Sequence, residues 1–468
     1  MADNQFEMPA AVREEIASRG YAMPPDMSAQ IERWYQWYTA THPFYEERYV
    51  GIDGRSHRRQ KLSLRPARRV CREWASLIAN EMRARSGSAD ANDWVQGYCE
   101  RTGLYALFQR GIERAFAMGT GAMALWFDVR DEGTAIRVRR YDAKMTIPLT
   151  WDEDGTSECA FCTRVTVKGK QAVQLQIHAL DGGTGTYHVI TKVWCEGKPV
   201  SADALGIIED FDTGCASPTF CLLSPAIDNT VQDTSPYGVS VFEDAVDAIR
   251  MLDTAWTALF DETDLLRAVL MLPDSMIDVE ADGAGGKRAV PFGEREQRLY
   301  RLVESPVTEA GKPFAFAPAM RTGSIHEVYA DACAALGDEC GFGSQYFRPD
   351  KAGGLKTATE VSADNSALMR NIRNHENALG KELGRLLTSL CECARVHCGA
   401  PIAEGFEPVS IEWDDSIVTD TQAEKAQMLA EIAAGVVPKW MYLARFLGMS
   451  EEEAKAAAPE QAVLDVGF

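Results

Sequence analysis

Two cysteine clusters are the first places in this chain where residue type and spacing suggest chemistry. Cys159-Ala-Phe-Cys162 is the only CxxC, and zinc would need two further ligands that no second CxxC supplies. Cys391-x-Cys393, followed by His397 and Cys398, is the other cluster. On a helix Cys391 and Cys398 share a face, whereas Cys393 points elsewhere. Both clusters read as packed or partly exposed thiols, with a meeting of the two in three dimensions left open. Asp414-Asp415, preceded by Glu412, carries the oxygen donors that Mg²⁺ takes, or else forms an acidic strand-to-turn segment. The seven histidines are scattered, without HExxH or other paired spacing, and no GxSxG elbow is present. Gly119-x-Gly121 follows a helix and precedes a strand, the reverse of the order that aims backbone N–H groups at phosphate. It reads as a structural turn. No GxxxxGK[ST] occurs, which removes a Walker-type ATPase. No nucleophile, base and oxyanion hole assemble, so neither catalysis nor a cofactor is expected.

The most informative stretch runs from Gly341 to Cys391. A loop rich in glycine and aromatics (GFGSQYFRPDKAGGLKTATEV) feeds one long amphipathic helix, predicted over Thr357–Arg395. Val361, Leu368, Ile372, Leu379, Leu383, Leu386, Leu387 and Leu390 recur at the spacing of a packed helix face. Asn365, Arg370, Asn374, Asn377, Lys381 and Arg385 line the polar side, and Gly380 and Gly384 are the weak points. At 1.5 Å per residue such a helix spans about 60 Å, a strut of the kind assemblies need.

The remaining elements follow from periodicity and turn signals. Ser28–Thr41 reads as a short aromatic helix capped by Ser28. From Arg65 a helix puts Val70, Trp74, Leu77, Ile78 and Met82 on one face. A third helix is predicted from about Asp93 to Met118. Strand-like runs then follow: AMALWFDVR, TAIRVRRYD, CAFCTRVTVKG, QAVQLQIHAL and GTYHVITKVWCEG. After Ser235-Pro236-Tyr237-Gly238 a second long helix is predicted from Val239 to Met271, with Phe242, Val246, Ile249, Leu252, Trp256, Leu259, Phe260, Thr263 and Leu266 on its face and Pro273 stopping it. A β-rich insert, Asp274–Thr322, leads to a short helix, Ser324–Glu339. PVSIEWDDS reads as a strand, and the tail as helices over Thr421–Ala434, Pro438–Leu447 and Ser450–Ala458.

Bulk properties narrow the class. The chain has 468 residues, which suggests two to four structural units, and at 46% hydrophobic and 25% charged it can build an ordinary core. No run approaches a membrane span, and MADNQFEMPAAVREE lacks the pattern of a secretion signal. Twelve cysteines then read as reduced cytosolic thiols. A net charge of −21 argues against a surface that clings to nucleic acid everywhere. The charge is uneven: from Pro401 onward there are 13 acidic residues against 4 basic ones. Gly54–Arg72 (GRSHRRQKLSLRPARRVCR) instead has eight Lys/Arg and no Asp or Glu. That run reads as a solvated loop entering a helix, as inter-subunit ion pairing, or as a patch for an acidic partner.

The order of these features resembles the portal (head-to-tail connector) proteins of tailed bacteriophages of the siphovirus type. The likeness rests on RRVCREWASLIANEM followed by AFAMGTGAMALWFDV, on SPYGVSVFEDAVDAIRMLDTAWTAL, and on FAFAPAMRTGSIHEVYADACAALGDECGFGSQYF. KAGGLKTATEVSADNSALMRNIRNHENALGKEL and IEWDDSIVTDTQAEKAQMLAEIAAGVVPKWMYL complete it. The resemblance implies an α+β portal fold: a helical and β wing over 1–238 with the helix 357–398, stem helices at 239–272 and 324–340, a clip at 273–323, a tunnel loop at 341–356 and a crown at 399–468. It implies a homo-oligomeric ring, usually of about twelve subunits, at one capsid vertex of the virion, assembled in the host cytoplasm. Its partners would be double-stranded DNA passing through the channel, the terminase large subunit, a head–tail adaptor, and the major capsid and scaffold proteins, with no membrane. Arg348, Lys351 and Lys356 would face DNA, and Phe242, Val246, Ile249 and Trp256 would pack the stem and its subunits. The competing readings are a metal-dependent, capsid-associated nuclease or hydrolase using Asp414, Asp415 and Cys/His ligands, and a helical scaffold unrelated to phage.

Overall fold

The structure, a computed structural model, describes residues 8–50, 54–80, 82–130, 133–167, 169–201, 207–264, 269–273, 279–281, 287–289, 300–303, 314–316, 319–349, 358–413, 421–433, 437–447 and 451–458. Helices and strands are mixed in separate blocks, the α+β class expected. The chain divides into two compact units, Met1–Ala79 with Ala84–Ile411, and Asn80–Arg83 with Glu412–Phe468.

The larger unit opens with helices α1 (Ala10–Ser18) and α2 (Ser28–Thr39), then the strands β1 (Glu46–Val50) and β2 (Ser56–Gln60). Ser28 is the first residue of α2 and not its cap; Asp26 Oδ1 accepts from the Ser28 N–H at 2.9 Å. Helix α3 (Pro66–Ala79) buries Val70, Trp74 and Ile78 as their spacing predicts. Beyond a short strand β3 (Arg83–Arg85), the predicted third helix is two: α4 (Ala89–Thr102) and α5 (Leu104–Met118). They part at Gly103, whose φ of +64° no right-handed helix accommodates.

Among the described residues nine strands follow: β4 (Gly121–Arg130), β5 (Gly133–Asp142), β6 (Thr146–Asp152), β7 (Gly155–Val167), β8 (Lys170–Leu180), β9 (Tyr187–Cys195), β10 (Lys198–Val200), β11 (Asp210–Asp212) and β12 (Phe220–Leu223). One sheet has the order β10-β9-β8-β7-β6 with β11 also on β9, and another has β12-β4-β5. The five runs read as strands are β4, β5, β7, β8 and β9. Period-two alternation on β7 feeds two cores. Cys159 and Phe161 pack with Ala122, Ala124, Tyr141 and Phe220, whereas Ala160 and Cys162 pack with Val12 and Ile16 of α1 and with Leu175 and Ile177.

Helix α6 (Val246–Asp264) is shorter at both ends than the predicted Val239–Met271. Before it, the Val241 N–H and the Ser240 hydroxyl both donate to the Phe116 carbonyl, at 3.0 and 3.2 Å, which fixes a turn. After it, the apolar run Val269–Pro273 is a strand, β13. It is followed by β14 (Val279–Ala281), β15 (Lys287–Ala289), β16 (Tyr300–Val303) and β17 (Phe314–Phe316). β13 lies between β16 and β17, and β14 pairs with β15, so the described part of the insert is β-rich as expected. A short apolar run ending in proline fits helix or strand alike, and cross-strand partners decide it.

Helix α7 (Thr322–Glu339) leads to α8 (Ala358–Cys398), 41 residues long. Leu368, Ile372, Leu379, Leu383, Leu386, Leu387 and Leu390 are buried as predicted. The side chains of Val361 and Asn365 lie outside the described residues. Gly384 sits where a Cβ would stand 2.7 Å from the Val409 carbonyl oxygen. That approach explains a glycine that helix propensity alone disfavours. The smaller unit carries α9 (Thr421–Ala433), α10 (Lys439–Leu447) and α11 (Glu451–Ala457), close to the predicted tail helices, and strand β18 (Ser410–Glu412) precedes them in the chain.

Candidate functional site

The junction of α7, the Gly341 loop and α8 is the site that the sequence singles out. The chain leaves α7 through two left-handed glycines, Gly341 at φ +80° and Gly343 at φ +87°. A side chain at either would be strained. The turn is pinned from two helices: Trp74 Nε1 of α3 donates to the Cys340 carbonyl at 3.1 Å, and Asn371 Nδ2 of α8 donates to the Gly341 carbonyl at 2.8 Å. Phe342 then packs on Trp74 in a tilted arrangement with ring centroids 4.4 Å apart, and Tyr346 and Phe347 lie 4.7 and 5.0 Å from Phe342. Arg69 of α3 sits over the Phe347 ring at 5.1 Å. The Tyr346 hydroxyl donates to Glu73 Oε2 at 3.3 Å, and burial together with that carboxylate pushes its pKa up to about 12.

This clamp is what sequence reasoning missed. GFGSQYF advertises turns and aromatics, but nothing local shows that α3 receives them. Behind it His375 of α8 is wedged between Trp74 and Phe116, at centroid distances of 4.7 and 4.9 Å. Its Nδ1 accepts the Ala226 N–H at 3.0 Å, and burial lowers its pKa to about 4. It is therefore neutral near pH 7, and its role is packing.

Of the three cationic loop residues, Arg348 is described. Its guanidinium stands 3.8 Å from Asp331 Oδ1 of α7, a pair with the Asp331 side chain 70% exposed. Such a surface pair contributes at most about 1 kcal/mol and is readily exchanged for another anion. Lys351 and Lys356 lie outside the described residues. Phe242, Val246 and Ile249 are buried within this chain's own core, and Trp256, half-buried, meets Tyr329 of α7 at 6.2 Å. At the far ends of α6 and α7, Glu262 accepts from the Arg321 N–H at 3.2 Å and from Arg321 Nε at 2.9 Å, closing the pair where the β insert begins.

The cysteine clusters do not converge. Cys159 and Cys162 face opposite sides of β7, and burial pushes both thiols up, Cys162 to about 12. Metal binding requires the thiolate, which such burial disfavours. Cys391 and Cys393 are buried and Cys398 exposed, while His397 Nε2 lies 3.0 Å from the Thr213 carbonyl. Among the described residues no three His, Cys, Asp or Glu side chains are grouped so as to hold a metal. Asp414 and Asp415 lie outside them. Gly119 is a structural turn: its φ is +78°, and a Cβ there would meet the Gly238 carbonyl oxygen at 2.4 Å. The basic run is not a loop, since its Ser56–Gln60 part is strand β2. No helix among the described residues is long and apolar enough to cross a membrane.

The segment from this loop onward is similar to a family of phage portal proteins, over about a quarter of the chain. Residues 342–463 match the family model described as "Phage portal protein, SPP1 Gp6-like". No curated protein matches the chain. Among solved structures, it is similar at 14% identity and a TM-score of 0.45 to a chain of "Neck of empty GTA particle computed with C6 symmetry", covering 96% of this chain and 99% of that one. A chain of "Neck of native GTA particle computed with C12 symmetry" aligns at 14% identity and a TM-score of 0.43, over 97% and 99% of the two chains. A chain of "Virion of native gene transfer agent (GTA) particle" gives 15% and 0.42, over 97% and 100%.

Proposed function

We propose that this chain assembles into a ring of about twelve copies at one capsid vertex and serves as the conduit for double-stranded DNA in packaging and ejection. In the same reading the ring docks the terminase large subunit and a head–tail adaptor, and meets the major capsid and scaffold proteins. The observation that carries it is the portal-family match over 342–463, which contains Arg348, Lys351 and Lys356. The expected lobes are a wing over 1–238 with 357–398, stem elements at 239–272 and 324–340, a clip at 273–323, the tunnel loop at 341–356 and a crown at 399–468.

The physics of a conduit supports this assignment. Cargo must pass without being held, and a chain of net charge −21 has little appetite for a polyanion. A few cations in a glycine-rich segment can touch phosphates and let go. Arg348 suits that task, because its partner Asp331 is exposed and 3.8 Å away.

End-on electron-microscopy views of the purified chain test the ring: class averages with a central hole are expected, and a dispersed monomer at every concentration refutes it. Replacing Arg348, Lys351 and Lys356 together by alanine tests the loop. Rings are expected to persist while packaged or retained DNA falls, and full packaging by the triple variant would remove the loop's role.

A further inference from the structure

The basic run supplies one strand of a protrusion that the described residues of its own chain leave largely uncovered. β1 and β2 pair antiparallel with the register Glu46↔Gln60, Arg48↔Arg58 and Val50↔Ser56. Two strands alone are marginal in water, so this pair needs a support. One face has it: Arg59 forms an ion pair with Asp261 of α6, and on the same side Tyr49 and His57 stack at 5.5 Å. By strand alternation, Arg48, Val50 and Arg58 occupy the opposite face. Val50 is 72% exposed. Arg48 and Arg58 stand directly across from each other, an arrangement that like charges disfavour. Glu46 is their shared carboxylate, at 3.4 and 3.3 Å. Among the described residues, two guanidiniums with one acid between them leave a net positive face around an exposed valine.

A matching surface exists on α7. That helix carries Glu327, Asp331, Asp338 and Glu339 and no Lys or Arg. Glu327, Asp331 and Asp338, spaced by four and seven, share one exposed face with Val328, itself 44% exposed. The two faces are complementary in their apolar centre and in charge, the exposed 3.8 Å pair of Asp331 with Arg348 being open to exchange for a partner's guanidinium.

We propose that the Arg48–Val50–Arg58 face of the β1–β2 pair docks on the Glu327–Val328–Asp331 face of α7 in a second copy of this chain. The contact is head-to-tail, the type that closes into a ring, and it rests on the ring reading above. Its own chain's α7 is not the occupant, because the face turned toward the parent α6 is the one that carries Arg59.

Charge reversal in the full chain tests it, with assembly followed by sedimentation velocity. Arg48→Glu with Arg58→Glu is expected to weaken association about tenfold or more per interface, and so is Glu327→Arg with Asp331→Arg. The chain carrying all four substitutions is expected to regain rings, a result that misfolding cannot mimic. Rings that persist through either reversal overturn the docking while leaving the ring itself standing. So does a failure of the four-substitution chain to recover. If β1–β2 variants keep their rings but lose retention of a short DNA duplex, the arginines serve a polyanion and the docking is overturned. An unsubstituted chain that never associates removes the ring and the contact together.

Discussion

Two buried histidines make this fold acid-labile in a defined window. His375 and His178 have their pKa values lowered to about 4 and about 3, in each case through burial alone, with no neighbouring charge offsetting it. In the unfolded chain both return to about 6.5. The folded state therefore resists a proton that the unfolded state accepts, so the stability these groups contribute is intact above about pH 6.5 and is lost as pH falls toward the folded values. At pH 5, proton binding to the unfolded chain costs about 2 kcal/mol of stability for each histidine, about 4 kcal/mol for the two. Urea denaturation at pH 7.5 and pH 5 reads the net change, to which the buried carboxyls of Asp253 and Glu382, their pKa values raised by burial, contribute with the opposite sign. His375→Asn isolates one contribution: its carboxamide oxygen can accept the Ala226 N–H as Nδ1 does at 3.0 Å, but it cannot take up the proton. The variant should be less stable at pH 7.5, because the ring between Trp74 and Phe116 is lost. Its drop between the two pH values should be smaller than the parent's by about 2 kcal/mol. An equal drop in parent and variant would refute the reasoning, since it would mean that His375 is protonated as readily in the fold as out of it.

Other substitutions test single contacts. Gly97→Ala and Gly384→Ala should move thermal stability in opposite directions. A Cβ at Gly97 in α4 meets nothing within 4 Å, and about 0.5–1 kcal/mol of helix propensity is gained. At Gly384 the same methyl meets the Val409 carbonyl at 2.7 Å, and a net loss of about 1–3 kcal/mol is expected. Asp253→Ala should cost about 2–4 kcal/mol, because it strands the Tyr45 hydroxyl, the Ser63 hydroxyl and the Leu64 N–H, which donate at 2.7, 2.6 and 2.9 Å. Chemical denaturation with an unchanged m-value checks this. Leu387→Ala on the fully buried face of α8 should cost about 3 kcal/mol by the same measurement.

Sequence patterning revealed those parts of the fold whose physics is local. The apolar spacing of α8 and the alternation of β7 and β8 each record a face held against one core, and each was legible. Gly103 was harder to read, because a glycine inside an apolar-periodic run marks either a tolerated weak point or a left-handed break. β6 carries Pro148 and irregular register against β7 on both sides of Thr150, which blurs its alternation. The β1–β2 pair hides for a different reason: Ser-His-Arg-Arg-Gln has no apolar member to alternate, so a polar strand looks like a loop. At the site, the loop was evident from its glycines, but Trp74 and Phe342 are brought together only by the packing of α3 against the α7–α8 turn. No local pattern records a contact of that separation.

That contact also places the boundary between what is fixed and what can be exchanged in the loop. Phe342 and Phe347 are 3% and 5% exposed, and burying each contributes about 2 kcal/mol. The next residue, Arg348, is tied by a 3.8 Å surface pair that contributes under about 1 kcal/mol. Holding strength thus falls by more than half between positions 347 and 348. Among the described residues, an anion approaching Arg348 competes with Asp331 and leaves the aromatic clamp undisturbed. Arg348→Ala should accordingly leave thermal stability within about 0.5 kcal/mol of the parent, whereas Phe347→Ala should lose about 3–4 kcal/mol. A large stability loss from Arg348→Ala would mean that the cation belongs to the scaffold, and would remove it from the set of residues free to meet DNA.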